Sequence, residues 1–319
     1  MAAAVDAYIE AYDLPRLYSP GEPPPSLLLG RCLDGRFTIL APLGRGAMGT
    51  VYRAMQHPID REVAVKVLDP QLAVDNPHLV KRFLREARLA GRIAHPNVMA
   101  VLDMGQTADG ILYLVAELLH GRTLAEAFSD DGAFPVNRVV RIALQLSAAL
   151  AAAHQHSIIH RDLKPANIML LGNAAGDDPV RVLDFGVAKS LAALRRGTAI
   201  TEVNSLVGTP AYMAPEIVTG RAADARADLY SLGVILYQLL AGALPFRAAT
   251  TTDMLAAHVL EAPPPLYGCP APLERLVMEL LAKDPAQRPP SALHVHAALS
   301  EMSGPGTITW PWQRRASSR

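Results

Sequence analysis

Apolar and polar residues alternate in short runs from Phe37 to about Tyr113, with residues 50–54 and 62–68 the clearest cases. A period of two is the mark of a strand with one face in a core. One segment breaks that rhythm. Across residues 78–93, Val80, Phe83, Leu84, Ala87 and Leu89 recur at helical spacing and predict a single helix among the strands. After Leu124 the period lengthens for good, and residues 136–156, 227–241, 251–260 and 273–281 all predict helices. The pattern therefore describes an α+β chain. A small antiparallel-sheet lobe with one helix (37–116) is joined through a short connection (117–123) to a larger, mainly helical lobe (124–303).

The ends differ from this body. Residues 1–36 read as a leader with a short helical stretch near 5–12 and a proline cluster at Pro20–Pro25, the composition of an extended linker. Residues 304–319 form a polar and aromatic tail with Trp310 and Trp312. Ligands favour junctions between such lobes, which places the expected cleft near residues 117–123.

Composition narrows the function classes. Half of the 319 residues are apolar, 19% are charged and the formal net charge is +0, so the chain should fold and has no overall pull toward nucleic acid or anionic membrane. Its two cysteines, Cys32 and Cys269, stand in no metal-binding or redox spacing and suit a reducing cytoplasm. No uncharged apolar run reaches the length of about 18 residues that predicts a membrane span, and the start shows no basic, then apolar, signal-peptide pattern. The longest apolar run, residues 142–153, contains Gln145 and Ser147 and reads as a core helix.

Three clusters carry chemistry. Gly44-Arg45-Gly46-Ala47-Met48-Gly49 can bring backbone N–H groups close to phosphate because three of its residues lack side chains. The same glycine spacing serves dinucleotide binding when a helix follows, but Thr50-Val51-Tyr52-Arg53-Ala54 reads as a strand and predicts a hairpin lid. Lys66 ends the strand Val63-Ala64-Val65-Lys66, and Glu86 on the following helix is placed to hold its ammonium. Then come His160-Arg161-Asp162-Leu163-Lys164-Pro165-Ala166-Asn167 and Asp184-Phe185-Gly186.

In this order, the clusters resemble the signature set of the eukaryotic-type (Hanks-type) protein kinases, most nearly the bacterial serine/threonine kinases. The likeness covers residues 37 to about 300. It extends to Gly208-Thr209-Pro210-Ala211-Tyr212-Met213-Ala214-Pro215-Glu216, to Asp228-Leu229-Tyr230-Ser231-Leu232-Gly233, and to Asp284-Pro285-Ala286-Gln287-Arg288-Pro289. The resemblance implies the two-lobed protein-kinase-like fold, ATP and Mg²⁺ as cofactors, and transfer of the γ-phosphate to serine or threonine hydroxyls of protein substrates. It implies that Lys66, held by Glu86, grips the α- and β-phosphates while the Gly44–Gly49 loop covers them, and that Leu43 beside this loop also binds the nucleotide. Asp184 and Asn167 hold Mg²⁺, Asp162 orients the acceptor hydroxyl and takes its proton, and Lys164 offsets charge on the γ-phosphate. Thr209 ties Asp162 to Lys164. Ala64, Val51 and Met169 enclose adenine, and the backbone of Glu117 and Leu119 binds its edge. Glu216, Asp228 and Arg288 are implied as structural.

Ala116 fills the position that guards the rear of the adenine site, and its small side chain predicts an enlarged back pocket. Arg161 is implied as part of a basic pocket for a phosphate on the loop between Asp184 and Thr209, with Thr201 the expected acceptor and Thr198 the next. Lys164, two residues beyond Asp162, and the pair Gly208-Thr209 favour serine/threonine over tyrosine specificity. The resemblance also allows a homodimer that phosphorylates itself in trans. A signalling scaffold without activity should lack Lys66, Asp162, Asn167 or Asp184, and a small-molecule kinase should lack the 209–216 segment; all are present.

Overall fold

The expected alternation becomes a six-stranded sheet, β1 (Cys32–Leu33), β2 (Phe37–Gly46), β3 (Gly49–Gln56), β4 (Arg61–Leu68), β5 (Val101–Gln106) and β6 (Leu112–Glu117). The computed structural model describes residues 28–46, 49–69, 87–88, 90–172, 178–185 and 210–302. The strands lie in the order β1-β2-β3-β4-β6-β5, each pair antiparallel. Register decides which face is which. Tyr52 pairs with Val65, Ala54 with Val63 and Tyr113 with Val67, so these side chains share one face. They bury there with Leu33, Phe37, Ile39 and Val115 as the core of the small lobe.

That lobe begins earlier than the sequence boundary at Phe37. Leu28 and Leu33 are buried in the same core, and Cys32–Leu33 adds a strand to β2. Two residues are too short a run to show a period, so nothing local marked this strand. Of the expected helix at 78–93, Ala87, Arg88 and Ala90 are helical, and most of the remainder lies outside the described residues.

Residues 118–121 have no regular structure and lead into β7 (Arg122–Thr123). A Cβ added at Gly121 would lie 2.2 Å from the Leu170 carbonyl oxygen, so only glycine lets the connection pass this close to β8 (Ile168–Leu170). Together with β9 (Val180–Val182), β7 and β8 form a second, three-stranded sheet. Thr123 caps α1 (Leu124–Asp131): its Oγ1 accepts from Glu126 N while the Glu126 carboxylate accepts from Thr123 N.

The other helices of the large lobe are α2 (Val136–Gln155), α3 (Pro215–Val218), α4 (Arg226–Ala241), α5 (Thr251–Leu260), α6 (Ala271–Leu280) and α7 (Ala292–Met302). α6 starts two residues before its predicted Leu273. Pro272 stands in its first turn, where a missing N–H has no helical partner to lose. α4 runs through the middle, with Leu229, Leu232, Val234, Ile235, Leu236 and Leu239 all fully buried. Length and apolar composition alone would let α2 cross a bilayer. Instead, Val139, Ile142, Leu146 and Leu150 bury in the lobe core. Its Gln145 joins the lobes: Oε1 accepts from Asn97 Nδ2 and Val180 N, both at 2.9 Å, and Nε2 donates to Asp178 O at 2.8 Å.

Candidate active site

Strand register builds the roof of the site. Val51 pairs with Lys66, and Lys66 with Leu114; Ala64 pairs with Ala116. Alternation therefore puts Val51, Ala64, Lys66 and Ala116 on the face opposite the lobe core. The strands β2 and β3 close as a hairpin through the pairs Gly44–Val51, Arg45–Thr50 and Gly46–Gly49. Leu43 falls at a register shift between Pro42 and Gly44. A strand, not a helix, follows the glycines, so the dinucleotide alternative is excluded. Gly49 has φ +151°, and a Cβ there would lie 1.9 Å from the Val67 carbonyl oxygen. Ala47 and Met48 lie outside the described residues.

The floor comes from the segment before β8. Lys164 leads into a turn of 3₁₀ helix, Pro165–Asn167, and β8 then carries the buried Met169. Asn167 Nδ2 donates to the Asp162 carbonyl oxygen at 2.8 Å and to Asp162 Oδ2 at 3.3 Å, and Lys164 Nζ stands 3.9 Å from the same Oδ2. Roof and floor meet where Lys66 Nζ donates to Asp184 Oδ2 at 2.8 Å. Glu86, the partner expected for Lys66, lies outside the described residues.

Two residues here adopt left-handed backbone, Arg161 at φ 63° and Asp184 at φ 48°, an unfavourable conformation for side chains of this kind unless neighbours hold it. Asp228 supplies that hold for the first. Its Oδ1 accepts from Arg161 N and its Oδ2 from His160 N, each at 2.8 Å, and His154 Nε2 reaches the same Oδ2 at 2.8 Å. Burial alone would push the Asp228 carboxyl up, but the hydrogen bonds from the His154 ring and the His160 N–H outweigh it and hold the group below its usual range. His160 bridges to the second strained residue. Its Nε2–H donates to Leu183 O at 2.9 Å, leaving Nδ1 to accept from Asp162 N at 3.2 Å, and its ring packs at a tilt against Phe185, centroids 4.8 Å apart.

At the connection, Ala116 is buried. The carboxylate of Glu117 accepts from Ala100 N at 2.8 Å and faces Arg181 Nε at 3.5 Å, a role that the sequence did not suggest. Leu119 lies in the irregular stretch before β7. Farther out, Arg288 grips Glu216 through two buried hydrogen bonds. Thr198, Thr201 and Thr209 lie outside the described residues. Arg161 has an exposed side chain.

Sequence reasoning assigned no role to His154. It also gave no role to His258 or Lys283, which meet Tyr230 beneath the Pro210–Tyr212 turn. No local signal marks such residues, because each stands near a helix end, where a polar side chain is ordinary.

The donor set suits a hard cation. The amide nitrogen of Asn167 is engaged by Asp162, which leaves its side-chain oxygen as a hard donor, and the Asp184 carboxylate is the other.

Comparison with known proteins accords with this arrangement. Residues 37–299 match the protein kinase domain family. The chain is 42% identical over 271 residues to the serine/threonine-protein kinase pkn3 of Myxococcus xanthus, covering 83% of this chain and 49% of that protein. It is 36% identical over 268 residues to the serine/threonine-protein kinase PrkC of Bacillus subtilis, covering 82% and 40%. The chain thus spans about half or less of the length of these curated relatives. Among solved structures, the Mycobacterium tuberculosis PknI kinase domain superposes with a TM-score of 0.66 at 30% identity, covering 86% of this chain and 98% of that one.

Proposed function

This chain belongs to the protein kinase family, in its bacterial serine/threonine branch, and from that premise we propose that it transfers the γ-phosphoryl group of ATP to serine and threonine hydroxyls of other proteins. The observation that carries the reading is the 2.8 Å contact of Lys66 with Asp184, which joins a lysine of one lobe to an aspartate of the other.

Phosphoryl transfer asks a protein mainly to position reactants and to neutralise charge. In this reading Val51, Ala64 and Met169 hold the adenine ring, Glu117 and Leu119 bind its edge through their backbone, and the glycine hairpin covers the phosphates. Lys66 holds the α- and β-phosphates. Asp162, fixed through Asn167 and through the His160–Asp228 bonds behind it, orients the acceptor hydroxyl. The hydroxyl oxygen forms a bond to the γ-phosphorus as the bond to ADP breaks, and the proton passes to Asp162. Lys164 offsets charge on the transferred group. Asn167 and Asp184 are the residues that would hold Mg²⁺, which when bound neutralises charge on the phosphate oxygens.

The proposal extends to control. Phosphorylation at Thr201, or at Thr198, would order the activation segment through charge-assisted bonds to Arg161, whose backbone Asp228 already holds. Autophosphorylation in trans between two copies, a cytoplasmic location, and protein rather than nucleic-acid or membrane partners belong to the same reading.

Incubation of the purified chain with labelled ATP, Mg²⁺ and a proteome extract tests the activity. The wild type is expected to label proteins on serine and threonine, and Asp162→Asn to leave them unlabelled. Equal labelling by both, or none by either, refutes it. Phosphopeptide mapping of the same sample tests the loop, and a fully active enzyme with an unmodified 190–205 segment ends that part of the proposal.

A further inference from the structure

Residues 28–36 precede the span that matches the kinase family, yet they are built into the small lobe. Arg36 N donates to Leu33 O at 2.9 Å, and the two residues between them, Asp34 and Gly35, have φ 49° and 65°. Two left-handed residues in succession make the type I′ turn of a two-residue hairpin, which folds β1 back onto β2. Gly30 N donating to Ile39 O and Ile39 N donating to Arg31 O, each at 2.9 Å, extend this pairing. Leu28 and Leu33 anchor the hairpin in the lobe core.

Side chains of the hairpin reach a different part of the sheet. The Tyr113 hydroxyl, on β6, donates to Asp34 Oδ2, and Arg36 Nη2 pairs with Asp103 on β5. Arg31 Nη2 pairs at 2.6 Å with Asp109 Oδ1 in the β5–β6 turn, and Thr107 Oγ1 donates to the same oxygen at 2.7 Å. The two arginine pairs lie at the surface and contribute little alone. Tyr113 is different, because it is buried and its hydroxyl needs an acceptor. It stands opposite Gly105 on β5. A Cβ at Gly105 would lie 2.4 Å from the Tyr113 oxygen, so the ring crosses β5 where a side chain is missing and thereby reaches Asp34. The same ring meets Phe37, the first residue of β2, edge-on with centroids 5.8 Å apart.

The order β1-β2-β3-β4-β6-β5 keeps β2 and β6 apart, with β3 and β4 between them. β2 ends in the glycine hairpin, and β6 ends at Glu117, where the connection to the large lobe begins. Backbone pairing links lid and connection only through two intervening strands. The ties from residues 31, 34 and 36 form a clasp that joins the start of β2 directly to β5 and β6. We propose that Asp34 is a positioning residue for the nucleotide: by holding the Tyr113 hydroxyl it fixes the phosphate-covering lid relative to the adenine-binding connection. The inference rests on the reading of this cleft as an ATP site. ATP spans lid and connection, whereas adenosine has no phosphates for the lid to cover. The clasp, which sets the two in advance of binding, therefore favours ATP and is indifferent to adenosine.

The test measures the calorimetric affinity of the full chain for Mg-ATP and for adenosine, with thermal melting to confirm folding. Tyr113→Phe keeps the ring and loses the hydroxyl, while Asp34→Gly keeps the left-handed turn and loses the carboxylate. Each is expected to weaken Mg-ATP binding about three- to tenfold, the effect of one hydrogen bond, and to leave adenosine within about twofold of wild type. The double variant should bind no more weakly than either single one, since both remove the same bond. Asp34→Asn, which tolerates this φ and still offers an oxygen, should recover most of the loss. Unchanged Mg-ATP affinity in both single variants refutes the clasp and leaves the ATP reading intact. Equal losses for adenosine and Mg-ATP would mark a general structural role and overturn the proposal, as would additive losses in the double variant. A wild type that binds neither ligand ends the ATP reading itself, and the clasp with it.

Discussion

Arg288 Nη1 and Nη2 donate to the two carboxylate oxygens of Glu216 at 2.7 and 2.9 Å, a parallel pair closed off from solvent although the residues stand 72 positions apart. The remaining Arg288 protons are also engaged, by the carbonyls of Ala282, Arg226 and Lys283, and its guanidinium lies 4.9 Å from the Tyr230 ring centroid. Removing one partner leaves the other charge buried and uncompensated. Glu216→Ala is expected to cost about 3–5 kcal/mol, measured as a fall in the urea midpoint at unchanged slope. Arg288→Lys should cost nearly as much, because an ammonium cannot reproduce the fork.

Asp228 holds three donors from the catalytic segment and its neighbour, His160 N, Arg161 N and His154 Nε2. A carboxamide in place of this carboxylate would turn its NH₂ toward one of them. Asp228→Asn is expected to lower kcat at least about tenfold while KM for ATP changes little, since the strained Arg161 backbone loses its support. The stability effect has a definite pH sign. The Asp228 pKa is lowered in the fold, so its stabilisation is complete above the unfolded value of about 3.9 and disappears as pH falls through the lower folded value. Denaturation curves of wild type and variant should therefore converge below about pH 4.

His258 acts on the same acid side of the pH profile, at higher pH. Its pKa falls from 6.5 to about 4, so between those values the unfolded chain binds a proton that the folded chain refuses. Stability must then drop as pH falls across this window, by up to about 1.4 kcal/mol per pH unit. In His258→Phe that part of the slope should vanish. His95, also lowered, chiefly by burial, remains in both proteins and cancels in the difference.

Gly49 is the one described lid residue for which a side chain is excluded by backbone on two counts, its φ of +151° and the Val67 carbonyl 1.9 Å from an added Cβ. In Gly49→Ala the β3–β4 pair must part at its end, which tilts the hairpin away from the phosphates. KM for ATP is expected to rise about tenfold or more, with the melting temperature only slightly lowered. An unchanged KM would show that the hairpin does not cover the nucleotide.

Ala116 pairs in register with Ala64, so two small side chains adjoin on the cleft face of the sheet. ATP-competitive compounds with a bulky substituent directed past Ala116 are expected to bind wild type at least about tenfold more tightly than Ala116→Met. Equal inhibition constants for the two proteins would remove the back pocket.

The strands at residues 50–54 and 62–68, the helices at 136–156, 227–241, 251–260 and 273–281, and the chemistry-bearing clusters were legible in the chain itself. Period-2 and period-3.6 patterns arise from which face each residue must bury, a local property that survives without knowledge of the partner face. The hairpin character of the glycine loop was legible for the same reason, because Thr50 to Ala54 are β-branched, aromatic or small residues in alternation. The leader boundary was not. Leu28 and Leu33 declare themselves as core only when the β2 edge is there to receive them.

What the sequence determined alone was an inventory: an α+β order of elements, and a lysine, two aspartates and an asparagine in the spacing of phosphotransfer chemistry. Only the tertiary structure decided that Lys66 and Asp184, 118 residues apart, lie 2.8 Å from each other, that Asp228 holds the Arg161 backbone, and that Tyr230, His258 and Lys283 meet inside the large lobe. The reason is physical. Local patterns record how each segment meets water and its own hydrogen bonds, whereas contacts between distant side chains exist only once two packed lobes fix their backbones, and neither end of such a pair carries a mark of the other.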